Sequence, residues 1–394
     1  VGEKSKKIIG KFLRGIMKIL YIANSLKKTS GWDRYGIELA RAAEAAGHEV
    51  IAAVAIVNET CSIKQENILF SPLKYIANPL VSWATARRLN RLIHRFDPDV
   101  IHFIVEPYVQ ILPFLNSFNA RKVLSTYGSY GVLPSVAPRG VGRVISSITY
   151  KAALKRLDAV VGMGEYAASR FLETYPSMVS KYSIIKAGLN HLPKVNPEEI
   201  DRFKRRYSIE QGYPVLLTVG AIKQRKGQLD TLMSLKLLKQ SFPNSKYLII
   251  GSDKDEKYIE SIRSYSRDND LVDNLLILSS VGSDFDLACA YAACDVFLLN
   301  SNNVGPYFEG FGLVILEANS YGKPVIGSSE CGIEDAIRDG VNGLLVGQRD
   351  HAEIASAIRK VLNTIDAEAC IRFSQGFNWK LTFDSYVSIY DKKN

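Results

Sequence analysis

The residues best placed to do chemistry are Glu309 and Glu317, eight positions apart. Gly310-Phe311-Gly312 follows the first, and Leu313-Val314-Ile315-Leu316 leads to the second. Glycines followed by an apolar run read as a loop entering a buried helix. The N-terminus of such a helix presents free backbone N–H groups and the positive end of its dipole, which together hold phosphate. The glutamates share phosphate's sign and cannot bind it, but they accept hydrogen bonds from hydroxyls. A ligand that is part phosphate and part polyhydroxyl suits both halves, and a nucleotide sugar is such a ligand. A second cluster lies upstream. The apolar strand Val215 to Val219 ends at Gly220, and Lys223, Arg225, Lys226 and Gly227 follow. The order Lys226-Gly227 is the reverse of a Walker A ending, which needs Gly-Lys before Ser or Thr. The cluster therefore reads either as a solvated basic turn or as a different grip on phosphate.

These blocks recur in a set order. Tyr307-Phe308-Glu309-Gly310-Phe311-Gly312 precedes Gly322-Lys323-Pro324-Val325-Ile326 and then Asp339-Gly340-Val341-Asn342-Gly343-Leu344-Leu345-Val346. With Val219-Gly220, Lys226-Gly227 and the helix end Gly47-His48-Glu49-Val50, the set resembles retaining glycosyltransferases of the GT-B fold, most closely glycosyltransferase family 4 (group 1), from Met17 onward. The resemblance implies an α/β chain of two Rossmann-like, doubly wound parallel-sheet domains facing an interdomain cleft. It implies transfer of a hexose from a nucleotide diphosphate sugar to a hydroxyl, with retention, in cell-surface glycolipid or polysaccharide synthesis. Glu309 would touch sugar hydroxyls and Glu317 the ribose. Lys226 and Arg225 would take the charge of the leaving diphosphate. Gly31, Gly128, Gly220, Val281, Gly310, Phe311, Gly312 and Leu313 would line the donor site. No metal or other cofactor is expected, and attack would come from the donor's front face. Three positions depart from the family pattern. Ala221 stands where an arginine is usual, so Lys223 or Arg225 would supply that charge. Trp32 replaces the second glycine of a pair. Tyr127 replaces a histidine, and a phenol still donates and accepts a hydrogen bond but stays neutral near pH 7.

The elements that must position these groups follow from periodicity. Lys18 to Ala23, a helix over Arg34 to Ala46 capped by Gly47, and Val50 to Ile56 read as strand, helix, strand, the unit of a parallel sheet. Further strands are expected over Val100 to Val105, Lys122 to Thr126, Ala159 to Met163 and Tyr182 to Lys186. In the second half they fall over Val215 to Val219, Lys246 to Gly251, Leu275 to Leu278 and Val296 to Leu299. The boundaries read as a basic leader over 1–16, a first domain over 17–192, a second over 193–375, and a final helical segment over 376–394 that, by resemblance, crosses back to the first domain. Two motifs compete for attention. Gly162-Met163-Gly164-Glu165-Tyr166-Ala167 matches a dinucleotide fingerprint, but the next strand ends in Lys186 rather than a ribose-holding acid. Asp284-Phe285-Asp286 spells Asp-x-Asp, yet Ser283 before it makes a helix capping box.

The 394 residues suit two domains, and 47% apolar with 23% charged residues is ordinary for a globular chain. A net charge of +10 favours anionic partners. Arg88, Arg91 and Arg95 line one side of a helix over Pro79 to Phe96, a face for solvent, for an anionic acceptor or for anionic lipid. The five cysteines at 61, 289, 294, 331 and 370 show no metal-ligand spacing and fit a reducing cytoplasm. No run is long enough to span a membrane and no secretory signal is read. The expected place is therefore the cytoplasm, with peripheral contact at the inner face of the cell membrane. The expected partners are a nucleotide-sugar donor and a lipid-linked or saccharide acceptor. The alternatives are an epimerase or hydrolase of nucleotide sugars on the same fold, and an NAD-dependent dehydrogenase built on residues 162–167. Nucleic acid is not an expected partner, because no aromatic-basic stacking motif accompanies the charge.

Overall fold

The computed structural model describes residues 15–27, 31–70, 78–116, 119–128, 141–190 and 192–391. Nearly all of the expected basic leader, and the loop that follows Gly128, lie outside the described residues.

The first domain is a seven-stranded parallel sheet in the order β3-β2-β1-β4-β5-β6-β7. Its strands are β1 (Lys18–Ser25), β2 (Glu49–Ile56), β3 (Lys64–Asn67), β4 (Val100–Phe103), β5 (Arg121–Thr126), β6 (Ala159–Gly162) and β7 (Tyr182–Ile184). Helices α1 (Gly31–Ala45), α2 (Pro79–Phe96), α3 (Val141–Arg156) and α4 (Glu165–Thr174) alternate with them. β1 sits between β2 and β4, with Ile19 opposite Val50 and Val100. Continuous apolar runs such as Ile19 to Ala23 arise because helices cover both faces of a parallel sheet.

The second domain repeats the plan with six strands in the order β10-β9-β8-β11-β12-β13. These are β8 (Val215–Val219), β9 (Lys246–Ile250), β10 (Leu275–Leu278), β11 (Val296–Leu299), β12 (Val325–Ser328) and β13 (Gly343–Val346). Its helices are α5 (Pro197–Arg206), α6 (Gln228–Leu238), α7 (Glu256–Asp268), α8 (Asp284–Ala293), α9 (Leu313–Ser320), α10 (His351–Thr364) and α11 (Ala367–Gln375). In each sheet the strand order reverses once, between β1 and β4 and between β8 and β11. Open α/β sheets bind ligands at the carboxyl ends of their strands beside such a reversal.

The last helix, α12 (Trp379–Tyr390), belongs to the second half by sequence and to the first by packing. The Tyr386 and Tyr35 hydroxyls lie 2.7 Å apart, and Ser125 Oγ lies 2.9 Å from Tyr386. His102 Nδ1 meets the Tyr390 hydroxyl at 2.7 Å, and its Nε2 meets Ser125 Oγ at 2.8 Å. Each polar atom in this buried network has a partner, as burial requires.

Several elements differ from the sequence reading. α1 begins at Gly31, three residues before Arg34, and makes Gly31 helical rather than part of a turn. β3 was not expected, because Lys-Gln-Glu-Asn carries no apolar alternation and the strand is an edge. A 3-10 turn over Glu106–Phe114 also carries no period of its own. On α2, Arg88 donates to the Asn67 carbonyl at 2.7 Å and Arg95 pairs with Glu66, so part of the basic face fastens the edge strand β3.

Candidate active site

The carboxyl ends of the two sheets face each other across a cavity of about 1000 Å³. Every residue singled out from sequence for the site lines it: Gly31, Tyr127, Gly128, Gly220, Lys223, Arg225, Lys226, Val281, Glu309 to Leu313, and Glu317. Arg34, Glu106 and Asn190 line it too.

The loop after β11 and the turn after β8 converge on one carboxylate. Arg225 Nη1 lies 2.6 Å and Lys226 Nζ 2.7 Å from the same oxygen, Glu309 Oε2. Burial alone would push the Glu309 carboxyl up, but the Lys226 and Arg225 charges outweigh it and hold it down at about 2. Lys223 is lowered, first by burial and then by its neighbours Arg225 and Lys226. The two partly buried cations outnumber the carboxylate they share, and Lys223 lines the same corner, so its charge has the right sign for an anionic ligand. Behind it, Gly312 opens α9 at φ +90°, a left-handed conformation that favours glycine. No side chain caps that helix end, and Leu313 and Val314 of its first turn line the cavity.

Glu317 sits one turn into α9 and is 3% exposed. The Tyr291 hydroxyl donates to Oε2 at 2.8 Å, Asn190 Nδ2 donates to Oε1 at 3.3 Å, and Arg34 Nη1 stands 3.9 Å from Oε1. Burial raises the Glu317 carboxyl, while Arg34 and the two hydrogen bonds pull it down. Arg34 also stands 3.5 Å from Asp284. Sequence reasoning passed over Arg34 because it opens a helix whose apolar spacing drew the attention instead.

The domains touch at two glycine turns. A Cβ on Gly310 would lie 1.6 Å from the Tyr127 carbonyl oxygen, so only glycine permits this approach. By contrast, a Cβ on Gly31 would meet nothing within 4 Å. The Tyr127 side chain departs from the expectation for it. Its ring packs edge-on against Tyr35 at 4.9 Å, and its hydroxyl is enclosed. Burial raises that phenol well above its ordinary value. Tyr127 lines the cavity, and its backbone carbonyl meets Gly310 there. The turn is held by Glu106, whose Oε1 accepts the Tyr127 N–H at 2.7 Å.

The two competing motifs resolve locally. Asp335 fills the N-terminus of α4, accepting from Glu165 N–H at 3.0 Å and Tyr166 N–H at 3.3 Å. The N–H groups of Glu165 and Tyr166, which a dinucleotide's pyrophosphate would need, are thereby taken, which counts against the alternative built on residues 162–167. A Cβ on Gly164 would lie 2.2 Å from Asp335, which explains the glycine by packing. In the Asp-x-Asp sequence, Asp286 accepts from Ser283 Oγ at 2.7 Å and pairs with Arg206 at 3.6 Å, while Asp284 faces Arg34.

Comparison with known proteins adds the family. Residues 199–375 match the model for glycosyl transferases group 1, and residues 29–191 match that for glycosyltransferase family 4. A GDP-mannose-dependent alpha-(1-6)-phosphatidylinositol monomannoside mannosyltransferase of Mycolicibacterium smegmatis is 25% identical over 293 residues, 70% of each chain. A D-inositol 3-phosphate glycosyltransferase of Geodermatophilus obscurus is 28% identical over 241 residues, 59% of this chain and 52% of its own. Among solved structures, Anabaena Alr3699/HepE in complex with UDP aligns with a TM-score of 0.76 at 17% identity, covering 94% of this chain and 98% of that one. That likeness concerns the fold. Two family models that together run through both domains, and a cleft built from the blocks that suggested them, make the chain a glycosyltransferase of the group 1 family with the GT-B fold.

Proposed function

We propose that the chain moves a hexosyl group from a nucleotide diphosphate sugar to a hydroxyl, with retention at the anomeric carbon and with its own cations in the role of a metal. The observation that carries this reading is the pairing of Arg225 and Lys226 on Glu309 at 2.6 and 2.7 Å, at one end of a cavity whose other end holds Glu317. A donor diphosphate entering this corner takes over the two cations. Glu309, released from them, turns its oxygens to sugar hydroxyls, while Glu317 accepts from the ribose. Charge-assisted contacts of this kind contribute about 1.5–3 kcal/mol each.

In the reaction, the bond from the anomeric carbon to phosphate oxygen breaks and a bond to the acceptor oxygen forms on the same face. The acceptor proton passes to the departing phosphate oxygen. Arg225, Lys226 and the N–H groups at the start of α9 stabilise the charge that develops on the diphosphate. Tyr127 contributes the shape of its turn: its ring packs edge-on against Tyr35, and burial keeps its phenol protonated.

The acceptor is a polyol or a lipid-linked saccharide. The names of both relatives, each with an inositol-containing acceptor, support this. A surface on α2 supports a lipid-linked one, through peripheral contact with anionic membrane. Leu80 and Trp83 stand 75% and 48% exposed there, with the Arg87 guanidinium 4.9 Å from the Trp83 ring centre. Among the described residues no helix is long and apolar enough to cross a membrane.

The test is a screen of GDP- and UDP-sugars with and without polyol acceptors, followed by NMR of the product's anomeric proton. Retained configuration in an acceptor-dependent product supports the proposal, and inverted product refutes its mechanism. Turnover of donor alone to an epimer would replace the transferase reading.

A further inference from the structure

Glu106 is a cavity residue that the chemistry above does not use. It lies three residues past the end of β4, at the carboxyl end of one of the two strands between which the first sheet reverses its order. It is fully buried, and it lines the cavity. One oxygen, Oε1, accepts the Tyr127 N–H at 2.7 Å. The other, Oε2, has no hydrogen-bond partner among the described residues. A buried carboxyl oxygen without a partner is costly, on the order of 1–3 kcal/mol. Oε2 itself is enclosed while the residue lines the cavity, so a ligand that seats against Glu106 and shifts this wall would satisfy it. The position is telling for a second reason. The turn that Glu106 holds, Tyr127-Gly128, abuts Gly310, with a Cβ on Gly128 placed 3.4 Å from the Gly310 Cα. Glu106 therefore stands on the first domain's side of the point where the second domain presents Glu309.

Resting on the functional reading above, we propose that Glu106 is a recognition group for the sugar of the donor: Oε1 fixes the Tyr127 turn, and Oε2 donates a hydrogen bond to a hydroxyl of the transferred sugar. Burial supports the donor role, because it raises this carboxyl to about 8 against the pull of the Tyr127 N–H, which keeps the proton in place at neutral pH. The tyrosines whose ionisation its charge opposes, Tyr127, Tyr150 and Tyr182, are themselves raised and neutral. Three carboxyls on this cavity then divide the work. Glu309 and Glu317 accept as anions, and Glu106 donates as an acid. A neutral acid is also no nucleophile, which agrees with front-face attack.

Binding of the sugar nucleotide and of the bare nucleotide separates this role from a structural one. GDP-mannose with GDP, and UDP-glucose with UDP, are titrated into wild-type protein, Glu106→Ala and Glu106→Gln by calorimetry. Glutamine keeps an acceptor for Tyr127 N–H and replaces the acid's O–H by an N–H donor. The expected result is that Glu106→Ala binds the sugar nucleotide about tenfold more weakly and the bare nucleotide as wild type does, and that Glu106→Gln restores the sugar nucleotide to within about threefold. Wild-type affinity for the sugar nucleotide in Glu106→Ala overturns the proposal. So does an equal loss of both ligands, which is a structural effect. If Glu106→Ala does not fold, Glu106→Gln alone decides, since a tenfold loss in a folded Glu106→Gln means that an anion was needed. Wild-type protein that binds none of the four ligands overturns the transferase reading instead.

Discussion

Asp335 Oδ1 accepts the backbone N–H of Glu165 at 3.0 Å, and the two residues belong to different domains. A carboxylate at a helix N-terminus satisfies orphan N–H groups and meets the positive end of the dipole. Here the cap is supplied across the cleft rather than from the helix's own chain. Its neighbourhood includes a second crossing, Asn303 Nδ2 to the Tyr166 hydroxyl at 3.1 Å. The pair acts as a clasp between the domains. Asp335→Ala is expected to destabilise the protein by about 0.5–2 kcal/mol, the ordinary cost of losing an N-cap. It should also widen the domains in small-angle scattering without ligand. A melting temperature and a radius of gyration equal to wild type would show that the clasp contributes nothing.

Glu317 has three partners, Tyr291, Asn190 and Arg34, and two of them come from outside α9's own domain. Its replacement by alanine should weaken nucleoside diphosphate binding about tenfold to a hundredfold, the value of one or two hydrogen bonds to a charged group. The measurement is calorimetry with GDP and UDP. Affinity for the free base moiety alone should not change, and a variant that binds the diphosphates as tightly as wild type would remove Glu317 from the site.

Stability should depend on pH from both sides. His102 is buried neutral and lowered from 6.5 to about 3 by burial, so the unfolded chain binds its proton first as pH falls. Its contribution is present above about 6.5 and is lost as pH falls towards 3. Glu309, held down from 4.5 to about 2 by its two cations against burial, adds to that loss below 4.5. Glu106 has the opposite sign. Raised by burial from 4.5 to about 8, it stays protonated in the folded protein while the unfolded chain has lost its proton, so stability falls as pH rises through that window. Each proton contributes up to about 1.4 kcal/mol per pH unit. The melting temperature should therefore be greatest between about 4.5 and 6.5 and fall on either side. Glu106→Gln should flatten the alkaline limb between 6.5 and 8. An unchanged alkaline limb in that variant would contradict the assignment of its proton.

Much of this arrangement was legible in the sequence. The strands Val215–Val219 and Val296–Leu299 stand out because burial on both faces makes them continuously apolar. The pair Glu309 and Glu317, and the turn with Arg225 and Lys226, stand out by residue type and spacing. What was not legible depends on contacts between distant parts of the chain. Glu106 reads as an ordinary acid before a proline until β4 is placed at the reversal of the sheet. Arg34 reads as a helix surface residue until α1 is aimed across the cleft. Tyr127 reads as a hydrogen-bonding phenol until α1 brings Tyr35 edge-on against its ring and burial raises its hydroxyl. The glycines at 162 and 164 suggest a nucleotide until Tyr182 and Asp335 are found against them.

The exposed Leu80 and Trp83, flanked by Arg87 and the exposed Arg91, make a testable lipid surface on α2. Vesicles of phosphatidylcholine with added phosphatidylglycerol should co-sediment the protein, and vesicles of phosphatidylcholine alone should do so weakly. The double variant Leu80→Ser with Trp83→Ser should lose most of the binding, and so should 0.5 M salt, an ionic strength well above the range where exposed charges attract at about 8–10 Å. Equal binding to both vesicle types would mean that charge plays no part.

The central claim is that the paired cations beside Glu309 grip the donor's diphosphate. Calorimetric titration of GDP and UDP into wild-type protein and Lys226→Ala, with EDTA present throughout, tests it most directly. The account predicts saturable binding of at least one nucleotide by wild-type protein and a loss of about tenfold or more in Lys226→Ala, with turnover of the matching sugar nucleotide reduced about a hundredfold. Equal affinity in the two proteins, or binding that EDTA abolishes, would contradict it.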